Sequence, residues 1–501
     1  MNILLVNPPV NRLCDIVTNY FPLGLGYLAA ITNRMGFPTA IYNAELETRR
    51  LPYPYNRRRI MNHRLFIQAL EKDSHFVWQE FREVLKRLMP SVVGFSCTSA
   101  SILPCLKMAE ESKRISNSIT VFGGMHPTIL PEETARSKLV DYIIIGEAER
   151  SFPSFIEALS QRENPFQVPG VGGCGGTGFH LNPPKPVEQN IDCFPFPDRE
   201  AIVNLKSHRN YFEAMMASRG CPYQCTFCSG RNLTGGKIRY RSIESVVEEM
   251  KELMHRYQMK HIMFYDDAFL IHKNRVIKLC QEILNQKMKV TWGGFTRADS
   301  VDPDILALMR ESGCNYLGIG VESGSDRILE KIKKGYTRKQ AIEGVQLIKR
   351  SGIEVSINMI IGFPFERAED IRDSISLIEE LDVPTNINTF TPYPKTELFE
   401  ECLQRGLLNQ EIDWSSISQH SPYNEFVQEV KPEVYRKLLE EMLSVADRIQ
   451  VQRNRDSTFH LIKSYRRTLE KVWCEEKHHP LKFVQTILMR GLRLVRTSLR
   501  G

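Results

Sequence analysis

Three cysteines at a spacing of C-x3-C-x2-C are the residues of this chain whose types and positions most clearly indicate chemistry. They are Cys221, Cys225 and Cys228, directly after a strand-like run and the turn Arg219-Gly220. A loop this short can aim three thiolates at one point, which suits three corners of a [4Fe–4S] cube and leaves the fourth iron open for a small molecule. A structural zinc site needs a fourth Cys or His, but the next cysteine is Cys280. The spacing therefore favours an iron–sulfur cluster over zinc.

The same loop, with the aromatic Phe227 before its last cysteine, resembles the signature of the radical S-adenosylmethionine (SAM) superfamily. The resemblance implies that the open iron chelates the amino and carboxylate groups of SAM. It also implies that one electron, from a donor such as flavodoxin or ferredoxin, cleaves SAM to a 5′-deoxyadenosyl radical. That radical abstracts hydrogen from the substrate.

A repeated strand-then-helix pattern from 205 to 395 predicts the elements that position this loop. Such units at intervals of about thirty residues fit βαβ repeats. Strands are predicted at 212–218, 261–265, 289–295, 316–321, 354–361 and 386–390. By resemblance this region is a partial (βα)6 barrel of the TIM type, in which chemistry lies at the C-terminal ends of the strands.

Polar residues and a glycine at those strand ends are candidates for binding SAM. An Asp can accept from the ammonium of SAM, a Glu or Ser can bind the ribose, and an Arg can bind the carboxylate in bidentate fashion. The predicted SAM-binding residues are Phe227, Asp266, Asp267, Arg297, Glu322, Ser323 and Gly362. Which of the two neighbouring aspartates contacts SAM stays open, and each polar residue could instead be an N-cap or form a strand-end salt bridge.

Strands and helices also alternate before residue 155, which predicts a doubly wound, Rossmann-like open sheet. Strands are predicted at 3–6, 39–43, 92–96, 120–122 and 142–145, with glycines or small hydroxyls after several of them. Such sheets bind ligands beyond the carboxyl ends of their strands, where small residues let a bulky ligand approach the backbone.

Three stretches of this region look like the cobalamin-binding domain found in one subgroup of the superfamily. They are P-L-G-L-G-Y-L-A-A from Pro22, G-G-M-H-P-T from Gly123 and G-E-A-E from Gly146. The predicted cobalamin-binding residues are Leu23, Gly24, Ser96, Thr98, Ser99, Gly123, Gly124, His126, Gly146 and Glu147. The first βα loop lacks a D-x-H-x-x-G motif. The resemblance therefore implies cobalamin without a histidine ligand, with His126 as a polar residue near the edge of the cofactor.

Length and composition predict an α/β protein of two or three domains. The predicted domains are cobalamin-binding (1–155), a Gly/Pro-rich linker (156–204), radical SAM (205–395) and helical C-terminal (396–501). The insertion at 46–90 is Arg-rich, with Arg49, Arg50 and 57–59, and is expected to be solvated or part of a substrate lid. The basic stretch 482–500 is expected to dock on the parent protein more readily than on a membrane surface.

Charge and cysteine usage narrow the possible partners and compartment. A net charge of +7 over 501 residues permits an anionic partner without requiring one, and no nucleic-acid partner is expected. Apart from the trio, the cysteines are scattered, which is typical of reduced thiols in a cytoplasmic protein.

Together, these features predict a cobalamin-dependent radical SAM methyltransferase acting on an unactivated carbon or phosphorus centre of a small molecule or peptide. Three alternatives stay open. One is a cyclase or rearrangement enzyme with the same cofactors, and another is a tRNA-modifying methylthiotransferase. The third is a zinc-stabilised binding scaffold, which would hold zinc and would not cleave SAM.

Overall fold

The structure is a computed structural model that describes residues 1–18, 20–47, 56–176, 178–205, 209–409, 411–422 and 426–476. Arg49, Arg50 and the basic stretch 482–500 lie outside the described residues, so the predictions for them are not addressed. None of the described helices is both long enough and apolar enough to cross a membrane.

The N-terminal region is built on one sheet with helices on both faces. Its strands follow the order β2-β1-β3-β4-β5-β6-β7, and the first five are parallel. The elements are β1 Ile3–Asn7, α1 Leu23–Arg34, β2 Thr39–Asn43, α2 Asn56–Met61, α3 His63–Glu71, α4 Phe76–Leu88, β3 Val92–Ser96, α5 Ile102–Ser116, β4 Ile119–Gly123, α6 Met125–Ile129, α7 Pro131–Ala135, β5 Tyr142–Ile144, α8 Ala148–Gln161, β6 Val171–Gly175 and β7 Gly178–Leu181. Every residue of β1 is buried, as expected of a parallel strand covered on both faces.

Part of the predicted linker is regular structure. β6 pairs antiparallel with β5, and β7 pairs antiparallel with β6, so this hairpin extends the N-terminal sheet. The sequence predicts a linker here because the segment is rich in glycine, with glycines at 172, 173 and 175. Close packing explains two of them, because a Cβ at Gly172 would meet the His180 carbonyl oxygen at 2.8 Å and one at Gly173 the Asp141 carbonyl oxygen at 2.8 Å.

The second region carries six parallel strands in the order β8-β11-β12-β13-β14-β15. This confirms the predicted (βα)6 pattern. The elements are β8 Ala214–Met215, β9 Ser218–Arg219, α9 Gly230–Thr234, β10 Arg239–Tyr240, α10 Ile243–His255, β11 His261–Phe264, α11 Lys273–Asn285, β12 Thr291–Thr296, α12 Pro303–Glu311, β13 Cys314–Glu322, α13 Asp326–Lys331, α14 Arg338–Arg350, β14 Glu354–Ile361, α15 Ala368–Leu381, β15 Thr385–Thr389, α16 Glu397–Gln404 and α17 Pro432–Glu476.

The first strand of this region is shorter than the sequence predicts. The run at 212–218 is divided between β8 and β9, and β9 forms a separate two-stranded ribbon with β10. The cause is Asp266, whose carboxylate accepts from the Ala217 amide (2.9 Å) and from the Ser218 hydroxyl. These bonds replace strand pairing and turn the chain toward the cysteine loop.

The C-terminal helical region packs on both larger regions. Residues of α17 such as Tyr435, Leu439 and Met442 belong to the same buried core as the six-stranded sheet. Trp414 and Ile417 instead belong to the core of the N-terminal sheet. The segment after α16 therefore spans the two regions.

Candidate functional site

The loop that carries the three cysteines is held by backbone contacts on both sides. Gly220, at its start, has φ +98°, and a Cβ there would meet the Lys237 carbonyl oxygen at 2.2 Å, so only glycine fits. The Gly220 amide donates to Asp267 at 3.0 Å. Further along, the Thr226 amide donates to the Ile332 carbonyl at 3.1 Å. The loop is thus tied to the ends of β11 and α13.

The three thiols of this loop lie near one another beside a cavity. Cys221, Cys225 and Cys228 all line a space of about 270 Å³, together with Asp267. Burial raises the pKa of Cys228, and the neighbouring Cys225, Cys221 and Asp267 raise it further. Among the described residues, no group of three His, Cys, Asp or Glu side chains is arranged around a single metal ion.

Arg297, at the end of β12, packs against this loop. Its guanidinium lies 3.8 Å from the ring centre of Tyr223, inside the loop, and 4.9 Å from that of Tyr336. It forms a bidentate pair with Asp299, both distances 2.9 Å, and donates to the Lys334 carbonyl at 2.6 Å. The SAM-carboxylate contact of Arg297 stays a prediction; in this structure its guanidinium contacts Tyr223, Asp299 and the Lys334 carbonyl.

The two neighbouring aspartates after β11 lie in different surroundings. Asp266 is buried, bonded to Ala217 and Ser218, and burial raises its pKa to about 6. Asp267 lines both the cysteine cavity and a second, larger cavity described below. The structure therefore brings Asp267, and not Asp266, to the open space where a ligand could bind.

The end of β13 carries a buried ion pair. Glu322 has φ +75° and its carboxylate lies 3.0 Å from the ammonium of Lys334. Burial lowers the pKa of Lys334, but Glu322, Tyr336 and Cys225 together raise it by more, so the pKa of Lys334 is raised. The neighbouring Ser323 is fully buried, and its hydroxyl contacts Ser374 at 3.3 Å and accepts from the Ser325 amide. Ser323 therefore stabilises the turn after β13.

The turn after β14 is fixed by the buried carboxylate of Glu366. The Gly362 amide donates to it at 2.6 Å and the Phe363 amide at 3.3 Å. Burial raises the pKa of Glu366 to about 8. Phe363 packs edge-on against Phe227 with ring centres 6.2 Å apart. Phe227 thus connects the cysteine loop to the Gly362 turn.

A cavity of about 320 Å³ separates the strand ends of the N-terminal sheet from the cysteine loop. The predicted cobalamin-binding residues that line it are Gly24, Ser96, Gly123, Gly124, Gly146 and Glu147. Its opposite wall includes Met216, Ser218, Gly220, Tyr265 and Asp267. The cavity is therefore shared between the two regions of the chain.

The other predicted cobalamin-binding residues do not line this cavity. Thr98 forms a capping box with Ser101, and Leu23 packs against the core. His126 is buried, contacts the Ser99 hydroxyl at 3.1 Å, and packs edge-on against Trp414. Burial lowers the pKa of His126 to about 4, so it is neutral at pH 7.

Buried ion pairs between the two regions form one side of the cavity. Glu147 and Glu149, before and within the first turn of α8, face Arg219 and Arg239 of the small ribbon. Arg239 donates to Glu147 at 2.8 Å, and Arg219 lies 2.7 Å from Glu149. The sequence missed both arginines as site residues, because nothing in their local pattern shows that α8 lies opposite them.

Comparison with known proteins adds to this geometry. The radical SAM superfamily matches residues 215–378, and the B12 binding domain matches residues 15–156. An uncharacterized methyltransferase of Pyrococcus horikoshii is 31% identical over 415 residues, covering 81% of this chain and 84% of the relative. The chain belongs to the radical SAM superfamily, in its cobalamin-binding group. It is an enzyme of this group, with a [4Fe–4S] cluster, SAM and cobalamin as cofactors.

Two further similarities bear on the reaction and the fold of this radical SAM enzyme. The anaerobic magnesium-protoporphyrin IX monomethyl ester cyclase of Rubrivivax gelatinosus is 26% identical, covering 67% of this chain and 62% of the relative. The radical SAM methyltransferase TsrM from Kitasatospora setae, solved with a tryptophan substrate and a SAM analogue, has a TM-score of 0.63 at 17% identity. That match covers 81% of this chain and 76% of TsrM, and it confirms the fold class.

The residues of this enzyme fit both metal cofactors. Three cysteines on one loop provide thiolates for three irons and leave the fourth open. The larger cavity has glycines at its rim: a Cβ at Gly24 or Gly146 would meet no atom within 4 Å and would enter open space. Apolar side chains, among them Leu5, Leu28 and Phe152, also line this cavity. A bulky, partly apolar cofactor suits such a space.

Proposed function

We propose that this enzyme transfers a methyl group to an unactivated carbon or phosphorus centre of its substrate. The observation that carries the proposal is the shared cavity. Gly220, at the start of the cysteine loop, and its hydrogen-bond partner Asp267 line the same space as Gly24, Ser96 and Gly124 of the N-terminal region. A substrate held between this space and the cysteine loop would face both cofactor sites. When bound, the cluster with SAM supplies a hydrogen-abstracting radical and cobalamin supplies the methyl group.

In this proposal Cys221, Cys225 and Cys228 are the ligands of the cluster. Asp267 is the aspartate that binds SAM, because its carboxylate borders both cavities. Arg297 is a positioning residue, which acts on the cluster through Tyr223. Glu322 and Gly362 remain predicted SAM contacts at the neighbouring strand ends.

The cobalamin site is proposed to consist of the glycines and small hydroxyls that rim the larger cavity, together with Glu147. The paired charges of Glu147, Glu149, Arg219 and Arg239 border this space. By joining the two regions, they keep water from entering between the cofactors, which protects a reactive radical from side reactions.

A cyclase that uses the same cofactors is the second candidate, favoured by the similarity to the Rubrivivax enzyme. A methylthiotransferase would need a second set of cysteine ligands in the N-terminal region. Cys14, Cys97 and Cys105 are all buried in the core of that region, which speaks against this role.

Anaerobic turnover with SAM and a strong reductant distinguishes the two leading candidates. A methyltransferase forms S-adenosylhomocysteine when SAM donates its methyl group, and a cyclase does not. Because methyl transfer from SAM to bound cobalamin needs no substrate, we expect about one S-adenosylhomocysteine per bound cobalt, with iron and cobalt both bound. Formation of 5′-deoxyadenosine alone, by protein that contains cobalt, would refute methyl transfer.

A further inference from the structure

One face of the six-stranded sheet is covered by helices, and the other carries polar and aromatic side chains. Ile357, Met359 and Ile361 of β14 and Ile387 of β15 all lie in the main core. Because side chains alternate along a strand, the residues between them point to the opposite, concave face. Among them Asn358, Asn386 and Asn388 are half-buried, so the concave face borders an accessible space, called the chamber below.

The β14–β15 side of this chamber is a wall of amides. Asn358 and Asn386 are direct neighbours in the sheet, and Asn386 Nδ2 donates to Asn358 Oδ1 at 3.1 Å. Arg59 of the inserted helix α2 donates to Asn386 Oδ1 at 3.3 Å. These bonds fix the orientation of both amides, so the wall is pre-organised for hydrogen bonding.

Asn388 extends this wall toward the cysteine loop. It lies beside Ile360 in the sheet, one residue from the C-terminal end of β15. Its side chain is half-buried, and its carboxamide makes no hydrogen bond to the described residues. The chain after β15 continues to Lys395 and Thr396, which line the cysteine cavity. Asn388 therefore offers a free donor and acceptor near the C-terminal end of β15, from which the chain leads to the cysteine cavity.

The β11–β13 side of the chamber is aromatic. The ring of Phe295 lies directly against Gly318, because a Cβ added to this glycine would be only 2.6 Å from the ring. The hydroxyl of Tyr316 would be 3.4 Å from the same Cβ. The rings of Tyr265 and Phe295 are 5.8 Å apart. Tyr265 also lines the cavity assigned to cobalamin, so the aromatic side begins at that cavity.

We propose that the concave chamber binds a substrate with a planar ring whose edge carries hydrogen-bonding heteroatoms. The ring would stack on Tyr265 and Phe295, and its edge would bind Asn388 and Asn358. An isoprenoid or other hydrocarbon would leave the Asn388 carboxamide desolvated and unpaired, which is costly. The inference rests on the proposed function, because it places the substrate between the two cofactor sites.

Four small probes test this chemistry on the holoenzyme without turnover. Ligand-observed NMR titration would compare benzamide, which has a ring and an amide edge, with cyclohexanecarboxamide, toluene and farnesol. Stacking and hydrogen bonding each contribute roughly 2- to 12-fold in affinity. We therefore expect benzamide to bind more tightly than the other three. The variant Asn388→Leu should weaken benzamide by roughly 3- to 10-fold and leave toluene unchanged.

The exposed Asn285 on α11, far from the chamber, provides the matched control Asn285→Leu, which should bind all four probes like wild type. Preference for farnesol, absence of benzamide binding, or benzamide binding that Asn388→Leu does not weaken would overturn the inference. The relative affinities of the four probes are measured on the wild-type protein, so this part of the test does not depend on whether a variant folds. Failure of methyl transfer would appear separately, as missing cobalt or missing S-adenosylhomocysteine.

Discussion

Replacing Arg297 by lysine tests whether this side chain holds the cysteine loop. Lysine keeps the charge but cannot reproduce the bidentate pair with Asp299 or the stacking on Tyr223. Losing a charge-assisted hydrogen bond in a buried setting costs about 1.5–3 kcal/mol, and losing the stacking about 1 kcal/mol. The total of about 3 kcal/mol would raise the population of open loop by roughly a hundredfold.

The assay is the rate at which a chelator removes iron from anaerobically reconstituted enzyme. We expect release from Arg297→Lys to accelerate by up to roughly a hundredfold, and the electron paramagnetic resonance spectrum of the reduced cluster to change. Tyr223→Phe keeps the ring and should behave like wild type. Arg310→Lys, on the exposed side of α12, is the matched control. Iron release and spectrum unchanged in Arg297→Lys would refute the positioning role.

Three further predictions concern cofactor binding and pH. Alanine at Cys221, Cys225 and Cys228 together should abolish iron binding and leave cobalt bound, as measured by metal analysis; loss of both metals would contradict separate sites. Gly24→Leu should lower cobalamin retention without lowering the melting temperature, because leucine favours the helix but enters the cavity. The folded-state pKa of Asp266 is raised to about 6, so its contribution to stability is complete below about pH 4 and is lost as pH rises through about 6. Asp266→Asn should remove that part of the pH dependence in chemical denaturation.

The strands of both sheets could be predicted because most are continuous buried runs. β14 and β2 have the predicted bounds, since an apolar run between turn residues leaves few alternatives. The exception is the strand at 212–218, which a side chain from 48 residues away interrupts at Ser218. No local pattern reveals a hydrogen bond between distant segments.

The strand-end pattern predicted where the candidate site lies. It could not distinguish residues whose side chains face the cavities from residues whose side chains do not. Asp266 and Asp267 follow the same strand and have the same side chain. Both lie in the loop after β11, where the carboxylate of Asp266 accepts from Ala217 and Ser218, while Asp267 lines the cavities. Only the three-dimensional position of the cysteine loop decides which of them can meet a ligand.

The charges between the two regions explain why the cavity has a defined shape. Arg239 is almost fully buried, and the side chain of its partner Glu147 is 13% exposed. Burying such a pair costs about as much desolvation free energy as the attraction returns, so its contribution to stability is small. A misplaced pair would leave an uncompensated buried charge, which is strongly unfavourable. The pairs of Glu147 and Glu149 thus select one relative orientation of the two regions. In that orientation the strand ends of the N-terminal sheet face Asp267 and the cysteine loop. A reaction that uses both cofactors requires the two sites to face each other in this way.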